Sequence, residues 1–233
     1  MTLRDELEAG TEVVHTSASS RRQEQRCSTI TELRQLSSDR YAVTLSDGDS
    51  FRVTLNDVAD FSLYTGRELS EDMLCALKEA AALSRCKDRA MRSISARAMS
   101  ERELYDRLVE KGETERNAAA AVAWLLELHF LNDAAYAAGL VRRCANRGYG
   151  PKRVRDELYR HKVPKELWED ALAELPEQDD TLDRLLAQRL RGADRGDRAA
   201  LKKATDALLR RGFGWTEIRY ALERLHYESD EEL

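Results

Sequence analysis

The sequence predicts a mainly α-helical protein, in which three tandem three-helix repeats form an elongated array after a small N-terminal antiparallel β-sheet. Apolar residues recur at helical spacing from about residue 70 onward, and three segments align without gaps at an interval of 50 residues. Shorter stretches before residue 56 alternate apolar and polar residues, which is typical of strands. Only 3 prolines and 6% aromatic residues argue against an all-β sandwich or a large enzyme barrel.

The composition narrows the class of protein further. The 233 residues are 42% hydrophobic, enough for a core, and 35% charged, as expected of a helix-rich surface. A net charge of −5 and a pI near 5.6 argue against a globally basic nucleic-acid binder. The four cysteines include no C-x-x-C pair, so we expect reduced thiols in a cytoplasmic protein. No apolar run approaches the roughly 20 residues that span a bilayer, so no membrane association is expected.

The N-terminal part is predicted to form a tail and a sheet. Residues 1–26 are polar and are predicted to be a flexible tail, and residues 27–69 hold the sheet and a connector. Candidate strands lie near 28–36, 41–45 and 51–55. Asp47-Gly48 supplies the positive-φ position of a hairpin turn between the last two.

Helical segments follow. Residues 70–132 are predicted to hold a leading helix capped by Ser70 and the first repeat, whose second helix begins at a Ser100–Glu103 capping box. The second repeat is predicted at 133–176 and the third at 177–226, before an acidic tail at 227–233.

The repeat is clearest in the hairpins at 103–125, 153–175 and 203–225. Apolar positions recur in the same register: Leu108, Leu158 and Leu208; Ala121, Ala171 and Ala221; Val122, Leu172 and Leu222; Leu125, Leu175 and Leu225. The turns also coincide, at Lys111-Gly112, His161-Lys162 and Arg211-Gly212. Alignment of unrelated amphipathic helices is the alternative, but the constant interval and the shared turn count against it.

Charge is segregated along the second repeat. Residues 142–162 include eight basic residues and only two acidic ones, whereas residues 163–183 include eight acidic residues and one lysine. The basic set is the predicted partner-binding surface: Arg142, Arg143, Arg147, Lys152, Arg153, Arg155, Arg160 and Lys162. The pattern suits a polyanion or a protein partner with matching charge, and a solvated helix face is the alternative.

No pattern indicates catalysis. None of the four histidines adjoins a nucleophile or a residue at metal-ligand spacing. Gly148-Tyr149-Gly150 follows a helix and lacks a downstream Lys-Ser/Thr, so we interpret it as a helix break before Pro151. The sequence therefore predicts no enzyme, cofactor or metal site.

Four blocks occur in order along the chain: SISARAMSERELYDRLVEKG, FLNDAAYA, RGYGPKRVRDEL and LLRRGF with I-x-x-AL. Together they resemble the RecX regulatory protein family. The matching residues are Ser95, Arg97, Ser100, Glu103, Leu104, Leu108, Lys111 and Gly112; Leu131, Asn132, Asp133, Tyr136 and Ala137; Gly150, Pro151, Arg153, Val154, Glu157 and Leu158; and Arg211, Gly212, Phe213, Ile218, Ala221 and Leu222. The chain departs from the family pattern at His129, where glycine is usual, and at Gly214-Trp215.

The resemblance implies a role as well as a fold. RecX-like proteins bind the RecA recombinase filament in its helical groove and oppose its growth, ATP hydrolysis and strand exchange, and some bind DNA. We therefore expect a monomeric, cytoplasmic regulator of DNA repair and recombination, with weak DNA contact through the second repeat. A DNA-binding helix-turn-helix protein and a generic helical scaffold are the alternatives. The apolar AAAAVAWLLE helix and the acidic pI disfavour the first of these.

Overall fold

The computed structural model describes residues 27–193 and 197–231, with side chains described as far as residue 225. The chain divides into two compact units, Met1–Lys78 and Glu79–Leu233. The predicted flexible tail at 1–26 lies outside the described residues, as do the side chains of the predicted acidic tail.

The first unit contains a four-stranded antiparallel sheet in the order β3-β2-β1-β4. Its elements are β1 (Ser28–Ser37), β2 (Arg40–Leu45), β3 (Ser50–Thr54), the short helix α1 (Leu55–Asp60) and β4 (Glu68–Leu69). The buried side chains of the sheet are Ile30, Val43, Leu45, Val53 and Leu69. The predicted hairpin is confirmed: β2 pairs with β3, and Gly48 in the turn has φ +87°.

The predicted third strand is too long by one residue. It was expected to include Leu55, but β3 ends at Thr54, which starts helix α1 instead. The Thr54 hydroxyl accepts from the main-chain N–H of Asp57, whose carboxylate accepts from the N–H of Thr54. This reciprocal capping box satisfies free amides at the helix start and directs the chain out of the sheet.

The second unit is helical. Its first helix is α2 (Glu71–Ala96), which contains the boundary between the two units. The helices after it are α3 (Glu101–Glu110), α4 (Glu115–Glu127), α5 (Asp133–Asn146), α6 (Pro151–Arg160), α7 (Trp168–Ala173) after a 3₁₀ turn at Lys165–Leu167, α8 (Asp179–Leu190), α9 (Arg198–Arg210) and α10 (Trp215–Glu231).

These helices form three modules, each with its own hydrophobic cluster. We call the end of α2 with α3 and α4 the first module, α5–α7 the second and α8–α10 the third. Leu108, Leu158 and Leu208, the residues in 50-residue register, are each at most 1% exposed. The repeat predicted from the sequence is therefore present in the packing.

The three hairpins also share one turn. After α3, α6 and α9 the main-chain N–H two residues beyond the cap residue returns to the carbonyl of Leu108, Leu158 or Leu208. This is the Schellman arrangement, which needs a left-handed residue directly after the cap. Glycine occupies that position in the first and third hairpins, but Lys162 does so in the second, at φ +56°.

Candidate interaction surface

The first and second modules are joined at the start of α3. The Ser100 hydroxyl accepts from the Glu103 N–H and donates a 2.6 Å hydrogen bond to the carbonyl of His161. Asp133, at the start of α5, accepts from the N–H of Glu101 at 2.9 Å. The first amides of α3 are thus satisfied partly from the second module, because these helix N–H groups have no partner within their own helix.

The predicted capping box at Ser100 forms only in part. Glu103 does not return to the Ser100 N–H. Its carboxylate pairs instead with Arg97 at 2.5 Å and with His161 Nδ1 at 3.1 Å. The Glu103 carboxylate therefore binds the Arg97 guanidinium and the His161 imidazole of the second module, and not the Ser100 N–H.

A second ion pair crosses the same joint. Lys162 Nζ lies 2.5 Å from the Asp106 carboxylate, which Arg102 also contacts. Burial raises the pKa of Asp106, but the hydrogen bond and charge of Lys162 outweigh that effect, so its pKa lies below the ordinary value. Lys162 is therefore a joint residue as well as a basic one.

The second and third modules meet through main-chain groups and one arginine side chain. The Gly150 N–H donates to the carbonyl of Arg211 at 2.8 Å, and the Lys152 N–H donates to the carbonyl of Gly212 at 3.1 Å. The Arg211 guanidinium donates to the carbonyls of Arg147 and Gly148. Carbonyls of the third module thus engage amides at the start of α6, which agrees with the interpretation of Gly148-Tyr149-Gly150 as a helix break and not a phosphate loop.

Five of the eight predicted basic residues have charged or aromatic partners. Arg142 pairs with Glu174 at 2.8 Å, Arg153 pairs with Glu157 at 2.9 Å, Arg160 also pairs with Glu157, Lys162 pairs with Asp106, and Arg143 lies over the Tyr136 ring at 5.7 Å. Glu157 is only 5% exposed, so Arg153 and Arg160 neutralise a buried carboxylate. Glu174, Asp106 and Tyr136 lie outside the basic segment, so a count of its charges did not reveal them, and the count did not show that Glu157 is buried.

The other three, Arg147, Lys152 and Arg155, are exposed and have no carboxylate within ion-pair distance in the described ranges. Arg210 and Arg211, at the end of α9, continue this basic surface because Arg211 contacts the end of α5. Neither arginine belongs to the basic set predicted from the sequence. In the 50-residue register Arg210 and Arg211 correspond to Arg160 and His161, and this correspondence could have identified them from the sequence.

An exposed aromatic residue lies on the same helix as the free cations. Tyr159 is 71% exposed, and helical spacing places it on one face of α6 with Lys152 and Arg155. We name Arg147, Lys152, Arg155 and Tyr159 the α6 surface. Its cations and ring are suited to contact an anionic partner.

The alternatives based on other chemistry receive no support from the described residues. Helix α4 buries Ala118, Ala121, Val122 and Leu125, so this helix packs in a core and is not presented to a DNA groove. Within residues 27–193 and 197–231, no group of three or more metal-ligating side chains is placed to hold an ion. No helix in these ranges is long and apolar enough to cross a bilayer.

Comparison with known proteins places the modules in a family. Models of the RecX second and first three-helix domains match residues 132–172 and 86–125. The regulatory protein RecX of Vibrio cholerae is 36% identical over 150 residues, which are 64% of this chain and 97% of that protein. The counterpart in Stenotrophomonas maltophilia is 38% identical over 135 residues, or 57% of this chain and 82% of that protein.

Two solved structures share the fold. A crystal structure of regulatory protein RecX covers 84% of this chain and 99% of its own, with a TM-score of 0.67 and 22% identity. RecX from Lactobacillus salivarius covers 63% of this chain and 97% of its own, with a TM-score of 0.57 and 23% identity. Together with the sequence relatives and the hairpins in register, these matches show that the chain belongs to the RecX family of regulatory proteins.

Proposed function

We propose that this protein binds the RecA recombinase filament and restrains its growth, its ATP hydrolysis and its strand exchange, and so regulates recombination and DNA repair. Membership of the RecX family is the observation that carries the proposal. It acts without chemistry of its own, as a monomer in the cytoplasm, where the filament forms.

The α6 surface is the proposed contact. Three of its four side chains are cations without a carboxylate partner in the described part of the chain, and such groups gain most from a complementary partner. Arg153 and Arg160 pair with Glu157, and Lys162 pairs with Asp106. These three cations stabilise the protein itself, so the proposed contact does not include them.

The test uses RecA assembled on circular single-stranded DNA, with ATP hydrolysis and filament length as the readouts. We expect the wild-type protein at stoichiometric amounts to slow hydrolysis and shorten filaments. The triple variant Arg147→Ala/Lys152→Ala/Arg155→Ala should act only at about tenfold higher concentration, since each exposed charge contributes modestly. The matched control is Arg85→Ala/Arg92→Ala/Lys111→Ala, which removes two arginines and one lysine that are exposed on the first module.

Two outcomes would contradict the proposal. If the wild-type protein leaves both readouts unchanged, it does not restrain RecA. If the two triple variants act equally, the contact lies elsewhere than the α6 surface. Unfolding curves that match the wild type are expected for both variants, because none of the six side chains is buried.

The second candidate is direct contact with single-stranded DNA. It is favoured by Tyr159, because an exposed ring beside cations stacks on bases while the cations contact phosphates. Fluorescence anisotropy with an oligothymidylate, in the absence of RecA, separates the two functions. Tyr159→Ala should weaken DNA binding several-fold, and an unchanged anisotropy curve would rule out stacking by this residue.

A further inference from the structure

A groove of about 420 Å³ lies between the first two modules, and none of the residues of the α6 surface lines it. Its walls are largely apolar: Met91, Ile94 and Met99 come from the first module side, and Phe130, Leu131 and Tyr136 from the linker and α5. Its size falls within the range of sites that bind small ligands or single large side chains.

The rim of the groove carries an exposed aromatic ring. Phe130 is 58% exposed although it follows a buried helix. Its position is fixed by the end of α4, where His129 takes φ +57° and the Phe130 N–H donates to the carbonyl of Leu125 at 2.9 Å. This closed turn holds the chain that carries the ring, and exposed rings on a fixed backbone are typical of contact sites.

The groove also presents a guanidinium that has no carboxylate. Arg143 lines the groove and lies over the Tyr136 ring. Besides burial, the charges of Glu103 and Asp133 raise the pKa of Tyr136, but both carboxylates have other partners. Glu103 pairs with Arg97 and His161, and one oxygen of Asp133 accepts from the Glu101 N–H. Within the described ranges Arg143 has no ion pair.

We propose that this groove binds a short segment of a partner protein in which a large apolar side chain adjoins a carboxylate. The apolar side chain lies against Met91, Met99 and Phe130, and the carboxylate accepts from the Arg143 guanidinium. Charge complementarity selects this occupant, because a neutral apolar segment would leave the guanidinium unpaired beside a dehydrated surface. A nucleic acid would find a single cation and a wall without further charge, which is poorly suited to a phosphate backbone.

Methionine methyl resonances provide a direct test on the full-length protein. The sequence has four methionines, of which Met91 and Met99 line the groove; Met73, in α2, does not and serves as the reference. The protein, labelled with ¹³C at the methionine methyls, is titrated with the blocked peptide acetyl-Ser-Phe-Glu-Ser-amide. We expect saturable shifts of the Met91 and Met99 methyls, with Met73 unchanged.

Matched peptides and variants assign the contributions. Replacing Glu by Gln in the peptide, or Arg143→Gln in the protein, should each weaken binding about tenfold, because each removes the charge-assisted hydrogen bond. Replacing Phe by Ser should abolish the shifts. Ala135→Trp places a ring in the groove from an exposed position and should block binding, whereas Arg116→Gln should not alter it.

Three results would overturn the proposal: no shift at millimolar peptide, equal binding of the Glu and Gln peptides, or shifts of the groove methyls with an oligothymidylate in place of the peptide. Dispersed methyl resonances and an unfolding curve like the wild type establish that each variant is folded. The assay contains no recombinase, so its result is independent of whether the protein acts on RecA.

Discussion

The Ser100 hydroxyl donates to the carbonyl of His161, and the Gly150 N–H donates to the carbonyl of Arg211. Both donors sit at the start of a hairpin, and both acceptors lie in the turn of the next hairpin. The two donors are 50 residues apart in the sequence, and so are the two acceptors. The repeat therefore includes the contact between modules as well as the modules themselves. The Ser100–His161 bond has a side-chain donor, whereas Gly150 donates from the main chain, and the second joint also includes the side chain of Arg211.

Ser100→Ala tests the first joint. It removes a helix cap and the bond to His161, so we expect a loss of about 2 kcal/mol in the free energy of unfolding. Thr114→Ala is the matched control, since Thr114 caps α4 through the Asn117 N–H and, within the described part of the chain, makes no hydrogen bond to another module; its loss should be about 1 kcal/mol. Urea denaturation measures both, and equal losses would show that the His161 bond contributes nothing.

Gly212→Ala tests the second joint. A Cβ at Gly212 would lie 2.2 Å from the Arg153 nitrogen, so the two modules would have to separate. Gly112 occupies the same turn position in the first module, with a similar φ, but a Cβ there would meet nothing within 4 Å.

We therefore expect Gly112→Ala to cost about 1 kcal/mol from backbone strain alone. Gly212→Ala should cost about 1–3 kcal/mol more, because the clash adds to the strain. Denaturation followed by circular dichroism compares them, and a broadened transition is expected where the third module separates. Equal costs would mean that the close approach of Gly212 and Arg153 is not maintained in solution.

Periodic features were predictable because a repeated fold repeats its constraints. The buried face at Leu108, Leu158 and Leu208, the hairpin turns and the antiparallel sheet all follow from residues close in sequence. Helix α1 and strand β4 were missed because each is short, and β4 exists only through its pairing with the start of β1.

The pairing of charges was not predictable because the partners are distant in sequence. Asp106 and Lys162 are 56 residues apart, and Asp133 caps a helix that starts 32 residues earlier. A charge count treats each cation alike, whereas the structure separates Arg155, which is free in the described ranges, from Arg153, which neutralises a buried carboxylate. A set of substitutions that includes Arg153→Ala would therefore combine lost binding with lost stability.

His129→Gly should stabilise the protein. His129 takes φ +57° at the end of α4, and a left-handed residue with a Cβ is strained by about 1–2 kcal/mol. Glycine relieves this strain but gains freedom in the unfolded chain, so a net gain of about 0.5–1 kcal/mol is expected. His129→Ala keeps the strain and should show no gain; a gain with both variants would point to the imidazole instead.

Asp133 gives the joint between the first two modules a dependence on pH. Its carboxyl is 6% exposed, one oxygen accepts from the Glu101 N–H, and the other is buried without a hydrogen-bond partner among the described atoms. Burial raises the pKa of Asp133, and the hydrogen bond from the Glu101 N–H counters this effect only in part. The pKa stays raised although the N-terminus of α5 favours a negative charge. Burial, together with the charge of Asp133, also raises the pKa of Glu101.

A folded-state pKa that is raised favours the folded protein while the carboxyl is protonated. That contribution is fully present below the unfolded pKa of about 3.9 and is lost as the pH rises through the folded pKa. Asp133→Asn keeps an oxygen for the Glu101 N–H and removes the buried charge, so it should be more stable than the wild type at pH 7. The difference should shrink as the pH falls towards 4. Urea denaturation across this range measures it, with Asp133→Ala, which loses the cap, as the destabilised control. A difference that does not change with pH would show that the Asp133 carboxylate is not penalised by burial.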